Sequence, residues 1–455
     1  MQDCTTTRRT VTIVGAGLAG SLLARLLAER GYIVTVVERR PDPRRDGFIG
    51  GRSINLALST RGISALRLAG LDTTVLNNVI PMRGRMMHDT HGRLSFQAYS
   101  ANPDEMINSV SRSGLNLTLL DAADAFDNVT MHFAAQCENI DLDTGRLTVR
   151  DDEGHQTDID GDLVIGADGA FSAIRAAMQR TDRFNYSQSY LEHGYKELTI
   201  PPTADGGFAI DEHALHIWPR GGSMMIALPN LDRSFTCTLF WPLVGEHSFA
   251  SITSGDEIRP FFEKHYPDVV PIMPALIEDY ERNPMSSLVT IRCSPWHAGD
   301  RVLILGDAAH AIVPFYGQGM NAAFEDCEVL TRMIDERISD GAGDWMALLD
   351  AYSRQRTPNA DAIADMALTN FIEMRDKVGS RWFLWWKRIE HVLHRLFPSR
   401  FLPLYNMVSF STIPYAEALE RARRQQRLIA GTLAGGAFLV IVLLLALLQV
   451  VLFPT

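Results

Sequence analysis

Glycines at positions 15, 17 and 20 fit the spacing G-x-G-x-x-G. Between a strand and a helix, that spacing receives a pyrophosphate. The first glycine allows the tight turn, the second lets backbone approach the phosphates, and the third lets helix pack on strand. The helix start adds amide donors and the positive end of its dipole. Glu38 closes the next β-branched run, where a carboxylate can accept ribose hydroxyls. These residues together predict a bound dinucleotide.

A second constellation, "RVLILGDAAHAIVPFYGQGMNAAFED", narrows the choice. Asp307 follows a buried-strand pattern, suited to ribityl or ribose hydroxyls, and the loop from Pro314 to Gly319 leads into a helix starting near Met320 or Asn321. An N terminus aimed at an isoalloxazine ring would stabilise the negative charge of a reduced flavin. The expected cofactor is FAD. His310 beside Asp307 reads as a structural part of this loop. His88, His91, His213 and His216 have no metal-like spacing, so no metal is expected.

The elements that must position these groups follow from periodicity. "TVTIVGAGLAGSLLARLLAERGYIVTVVERR" reads as strand, glycine turn, helix, strand. "GLNLTLLDAADAF" and "GDLVIGADGAFSAIRAAMQR" supply a further helix and a further strand, turn and helix. From about 184 to 290 alternation dominates, with turns at Gly221-Gly222 and Pro229-Asn230, which predicts an inserted antiparallel sheet. The expected fold is α/β (α+β). A Rossmann-like domain spans 1–180, with part of the substrate sheet near 75–105, and resumes over 296–343. The antiparallel sheet of a substrate domain spans 181–295, and a helical region follows over 344–427.

Residues 428–453 carry no charge. Roughly 26 residues rising about 1.5 Å each reach about 39 Å, beyond the ~30 Å hydrocarbon core. A transmembrane helix is therefore expected there. Arg421, Arg423, Arg424 and Arg427 precede it, which puts the body on the cytoplasmic side of a lipid bilayer. Gly431 and Gly435 form a G-x-x-x-G that carries little weight, and a homodimer is left open. At 455 residues, the chain is longer than one core usually grows. A net charge of -11 argues against nucleic acid, and five scattered cysteines indicate neither a disulfide framework nor a zinc site. No apolar export segment is read at the N terminus.

Taken together, the glycine motif, "GADGAFSAIR" with Asp168-Gly169, and "GDAAH...P...GQGMN" resemble the single-component FAD-dependent aromatic monooxygenases over nearly all of the body. "GRSINLALSTRG", "PMRGRMMHD", "YGQGMNAAFEDC", "NFIEMRD" and "LYNMVSFSTIPY" are similar to the members of that family that act on L-kynurenine. The resemblance implies transient NADPH, dioxygen, and an L-kynurenine ring hydroxylated by a flavin hydroperoxide, with no catalytic side chain. It implies FAD contacts at Gly15, Gly17, Ala19, Gly20, Glu38, Arg40, Ala57, Arg112, Asp307, Gly319, Met320 and Asn321, with Arg52 to Ala57 lining the cofactor.

Around the substrate the resemblance implies Arg85, Tyr99, Asn370, Glu373 and Tyr405. An arginine can grip an α-carboxylate in bidentate fashion, helped by a phenol and an amide. Without the resemblance, Arg85 reads as a surface arginine near Arg83 and Arg93, the tyrosines as interface residues, and Glu373 as a partner of Arg375. Two alternatives stay open: a membrane-associated hydroxylase of another aromatic such as a ubiquinone precursor, and a flavin-bearing redox adaptor without a product of its own.

Overall fold

The computed structural model describes residues 9–47, 55–100, 102–338, 343–377, 394, 397 and 401–432. A six-stranded sheet runs in the order His297–Ala298, Val302–Ile304, Leu163–Gly166, Thr10–Val14, Ile33–Val37, Val129–His132. Its pairs are parallel, in registers such as Val11 with Leu163 and Val34, except at the short edge strand His297–Ala298. Covered on both faces, its strands are near-continuous apolar runs. Val34, Leu163, Val164, Ile165 and Leu303 are all fully buried. Helix Leu18–Glu29 lays Leu22, Leu23, Leu26 and Leu27 into this core. Each such leucine contributes about 1.5–3 kcal/mol relative to exposure.

The second large sheet has seven strands, ordered Ser286–Ser294, Asn185–Ile200, Phe235–Pro242, Met224–Pro229, Ala214–Pro219, Gly84–His88, Leu94–Ala98. It is mixed, not purely antiparallel, because Ala214–Pro219 runs parallel to Gly84–His88. That pairing joins segments more than a hundred residues apart, beyond the reach of an alternation pattern. Helices Gly255–His265 and Leu276–Arg282 close one face over Trp218, Phe235 and Trp241. On the other side, Ile217, Met224 and Phe240 meet Phe315 and helix Trp345–Ile372. A small sheet of Asn55–Leu58, Ile107–Ser111 and Ile80–Met82 lies at the cavity that both large sheets line.

The expected membrane anchor is corrected. Residues 415–432 form a helix with Tyr415, Ala418, Ala422 and Ile429 buried on one stripe and Glu417, Glu420, Arg421, Arg423, Arg424 and Arg427 exposed. Tyr415, Ala418 and Ala422 pack with Ile363 and Met366 of helix Trp345–Ile372. Leu428 to Thr432, where the expected span began, continue this amphipathic helix, which is the pattern of docking on a protein body. Among the described residues no helix is long and apolar enough to cross a membrane. Residues 433–453, the rest of that stretch, lie outside the described residues, as does Gly435 of the G-x-x-x-G. The fold class therefore stands without a membrane-spanning element among the described residues. The bilayer partner and the cytoplasm-facing orientation, which depended on that element, do not stand either.

Candidate functional site

One end of the site is built by the glycine turn. Gly15 has φ of +107°, and a Cβ there would sit 2.5 Å from the Ala167 carbonyl oxygen. A Cβ on Gly20 would sit 1.9 Å from the Gly15 carbonyl oxygen, so this glycine serves helix–strand contact. Gly17 differs: among the described residues nothing lies within 4 Å of its would-be Cβ, and it caps helix Leu18–Glu29 at the cavity. Glu38, buried at 6% exposure, accepts from the Ala16 amide at 2.9 Å and from the Arg40 amide and Nε at 3.0 and 2.9 Å. Burial pushes its carboxyl up, but the Arg40 bonds outweigh this and hold it below the usual range.

Opposite this turn, Asp307 opens helix Asp307–His310 after strand Val302–Ile304 and faces the cavity. Enclosure by protein raises its carboxyl, with His310 and Arg112 acting against the shift. Asp168 is raised in the same way, and its Oδ1 is buried without a partner while its Oδ2 accepts from the Ala173 amide at 2.7 Å. The turn Pro314–Tyr316 and left-handed Gly317 then deliver Gly319 and Met320 to the cavity wall.

Asn321 points away from the cavity and is fully buried. Its Nδ2 donates to the carbonyls of Ala57 and Gly317 at 2.8 and 2.9 Å, and its Oδ1 accepts from the Ser59 amide at 2.9 Å. This explains "GRSINLALSTRG". Strand Asn55–Leu58 presents Asn55, Leu56 and Ala57 to the cavity, while Ser59 and Gly62 seat Asn321 behind it. Arg52 to Ile54 lie outside the described residues.

The other end of the cavity is a cation among phenols. Arg85, from strand Gly84–His88, has its guanidinium carbon 4.8 Å from the centre of the Tyr405 ring and 5.7 Å from that of Tyr99. Tyr99 and Tyr405 stack at 5.2 Å, and Tyr405 stacks on Tyr316 at 5.8 Å. Arg85 Nε is buried with no hydrogen-bond partner among the described residues. Burial pushes the Arg85 guanidinium down, but the neighbouring Tyr405, Tyr99 and Tyr316 outweigh this and hold it above its usual range. Burial pushes all three phenols above their ordinary range, so they stay protonated donors at neutral pH. Both ends open into one cavity of about 560 Å³.

A family model described as FAD binding domain matches residues 8–367. The kynurenine 3-monooxygenase of Myxococcus xanthus is 50% identical over 412 residues, covering 90% of this chain and 88% of that protein. That of Dictyostelium discoideum is 46% identical, covering 92% of each chain. The chain belongs to the kynurenine 3-monooxygenase family. Among these FAD-dependent aromatic monooxygenases, the relative from Anopheles gambiae is 44% identical over 94% of this chain and 87% of its own. Solved structures share the fold at lower identity. P. aeruginosa PqsL in complex with 2-aminobenzoylacetate aligns with a TM-score of 0.66 at 22% identity, covering 81% of this chain and 97% of its own. The tetrameric form of 2-methyl-3-hydroxypyridine-5-carboxylic acid oxygenase aligns with a TM-score of 0.66 at 20% identity, covering 83% and 94%.

The cavity fits the FAD of the kynurenine 3-monooxygenase family on three observations: the open backbone at Gly17, the orphaned Asp168 Oδ1, and Asp307 facing in from the other side. Of the residues singled out in the sequence, Gly15, Gly17, Ala19, Glu38, Arg40, Ala57, Arg112, Asp307, Gly319, Met320, Arg85, Tyr99 and Tyr405 line this cavity. Gly20, Asn321, Asn370 and Glu373 do not. Asn370 Nδ2 donates to the Phe315 carbonyl at 2.6 Å, bracing the loop that lines the cavity. Glu373 lies in a π-helical turn, Glu373–Lys377, and acts electrostatically on Tyr316. Sequence reasoning missed Tyr316, Met374, Thr238 and Phe240 in the wall. Tyr316 and Met374 were legible from their places inside "PFYGQG" and "NFIEMRD"; Thr238 and Phe240 lacked any local signal.

Proposed function

We propose that this protein converts L-kynurenine, NADPH, a proton and dioxygen into 3-hydroxy-L-kynurenine, NADP+ and water. The observation that carries this reading is the Arg85 guanidinium, placed against the Tyr405 and Tyr99 rings in the cavity that also holds the dinucleotide cradle. Bound FAD, reduced by NADPH, supplies the activated oxygen. Gly15, Gly17 and the helix Leu18–Glu29 would hold its pyrophosphate, Glu38 and Arg40 the adenosine ribose, and Asp307 with Asp168 the ribityl side.

The chain's own work is binding and exclusion. Arg85 takes the α-carboxylate of the substrate in a charge-assisted pair, and Tyr99 and Tyr405 donate to the same oxygens. The aromatic ring lies against Leu228, Phe240 and Phe315, which keep water from the reacting carbon. No side chain is needed as a strong base, because the ring amine supplies electron density at the ortho carbon. Domain boundaries near 180, 295 and 343 fit this division into cofactor and substrate parts.

The test is NADPH consumption by the FAD-loaded protein with and without L-kynurenine, with the product identified by mass. Kynurenine-stimulated consumption with a product heavier by one oxygen upholds the reading. Stimulation without that product makes kynurenine an uncoupling effector. Absence of stimulation directs the search to another aromatic such as a quinone precursor.

A further inference from the structure

Arg61 is fully buried, sits outside the cavity lining, and has no role in the site described above. It lies in helix Thr60–Leu68, and its guanidinium reaches three separate parts of the chain. One nitrogen pairs with Glu325 of helix Gly319–Arg337. Another donates to the Ile413 carbonyl, and Nε donates to the Val408 carbonyl at 3.3 Å. The guanidinium carbon also stands 4.0 Å from the centre of the Tyr415 ring. Val408 belongs to helix Leu404–Ser409, one turn beyond Tyr405. Tyr415 donates to Gln318 Oε1 at 2.9 Å, and Gln318 caps the helix whose first residues, Gly319 and Met320, line the cavity.

The geometry points to Arg61 as a positioning residue that ties the substrate-facing helix of Tyr405 to the cofactor-facing end of the Gly319 helix. Through Val408 and Ile413 it sets the height of Tyr405, and through Tyr415 and Gln318 it references that height to the wall beside the cofactor. The distance between the ring to be hydroxylated and the oxygen donor then depends on one guanidinium fork. A lysine keeps the charge at Glu325 but has no planar fork to serve two carbonyls at once. This inference rests on the reading of Tyr405 as a substrate contact.

The experiment compares full-length, FAD-loaded Arg61→Met and Arg61→Lys with the parent, with Arg85→Lys as reference. Folding is expected to survive, because Arg356 also holds Glu325 and Asp326, at 2.6 and 2.7 Å. Kynurenine binding to the oxidised protein is measured by calorimetry, and turnover is resolved into KM, kcat and the share of NADPH that ends as hydrogen peroxide. Both Arg61 variants are expected to retain FAD at the parental ratio, to bind kynurenine about tenfold more weakly, and to release at least twice the parental peroxide share. Parental binding and peroxide share with only a lower melting temperature would overturn the inference, as would full rescue by lysine. If Arg61→Met is insoluble, Tyr415→Phe removes one hydroxyl. A parental peroxide share there also overturns it, and a raised share supports it. Weakened binding in Arg85→Lys beside parental Arg61 variants defeats this inference alone. Unchanged binding in Arg85→Lys defeats the substrate-site reading and this inference with it.

Discussion

The guanidinium carbon of Arg85 lies 4.8 Å from the centre of the Tyr405 ring, so a residue of an early strand and one from the C-terminal region share a single pocket. A half-buried cation lining an enclosed cavity attracts an anion more strongly than one at an open surface, because less water screens it. Replacing Arg85 by alanine should weaken kynurenine binding by about 2–5 kcal/mol, roughly 30-fold to several thousand-fold. FAD content should stay at the parental ratio. Calorimetry with kynurenine, beside the flavin absorbance per chain, checks both halves.

The three glycines should separate by substitution. Gly20→Ala places a carbon against the Gly15 carbonyl, so the expected outcome is a destabilised, FAD-poor protein. Gly17→Ala meets no atom of another element within 4 Å among the described residues, so the fold should hold while FAD affinity falls at least tenfold. Denaturant unfolding of the apoprotein and a fluorescence titration with FAD distinguish the two.

Asn321 should behave as a tie between strand and helix. Asn321→Ala removes three hydrogen bonds and leaves the Ser59 amide and the Ala57 carbonyl short of partners, at a cost of about 2–4 kcal/mol. FAD affinity should drop as the Ala57 wall shifts, with kynurenine affinity of the FAD-saturated protein little changed. The unfolding midpoint and the FAD titration report on this.

His216 carries a pH dependence with a definite sign. Burial, aided by neighbouring His88, pushes it from its ordinary 6.5 down to about 4, against the Asp211 carbonyl and the Asp268 charge. Between those values the unfolded chain binds a proton that the folded chain refuses. Stability is therefore complete above about pH 6.5 and falls as pH drops toward about 4, by on the order of 3 kcal/mol. His216→Gln should flatten that part of the curve. Urea unfolding of parent and variant across pH 4–7 tests it, and parallel curves would contradict the assignment.

The amino-acid sequence by itself determined the glycine-turn end of the cavity. Gly15, Gly17, Gly20 and Glu38 are set by the local geometry of one strand–helix–strand unit, and Asp307 by the strand it follows, so spacing along the chain suffices to read them. The Arg85 end of the cavity was decided by tertiary structure. Strand Gly84–His88 joins the large sheet through a parallel pairing with Ala214–Pro219, and only that register turns Arg85 inward, while Arg93 stays 80% exposed at its side chain. Its partner Tyr405 arrives from a helix more than three hundred residues later, and no periodicity encodes such a meeting. Asn321 and Asn370 show the same limit. Their amide groups could serve a ligand or a backbone carbonyl equally well, and packing against Ala57 and Phe315 chose the backbone. At the C terminus, hydropathy read Leu428 to Thr432 as the start of an apolar span. The fold decided otherwise for these residues: Tyr415, Ala418 and Ala422 found an apolar face on the helix Trp345–Ile372, and Leu428 to Thr432 continue that amphipathic helix with Ile429 alone buried among them.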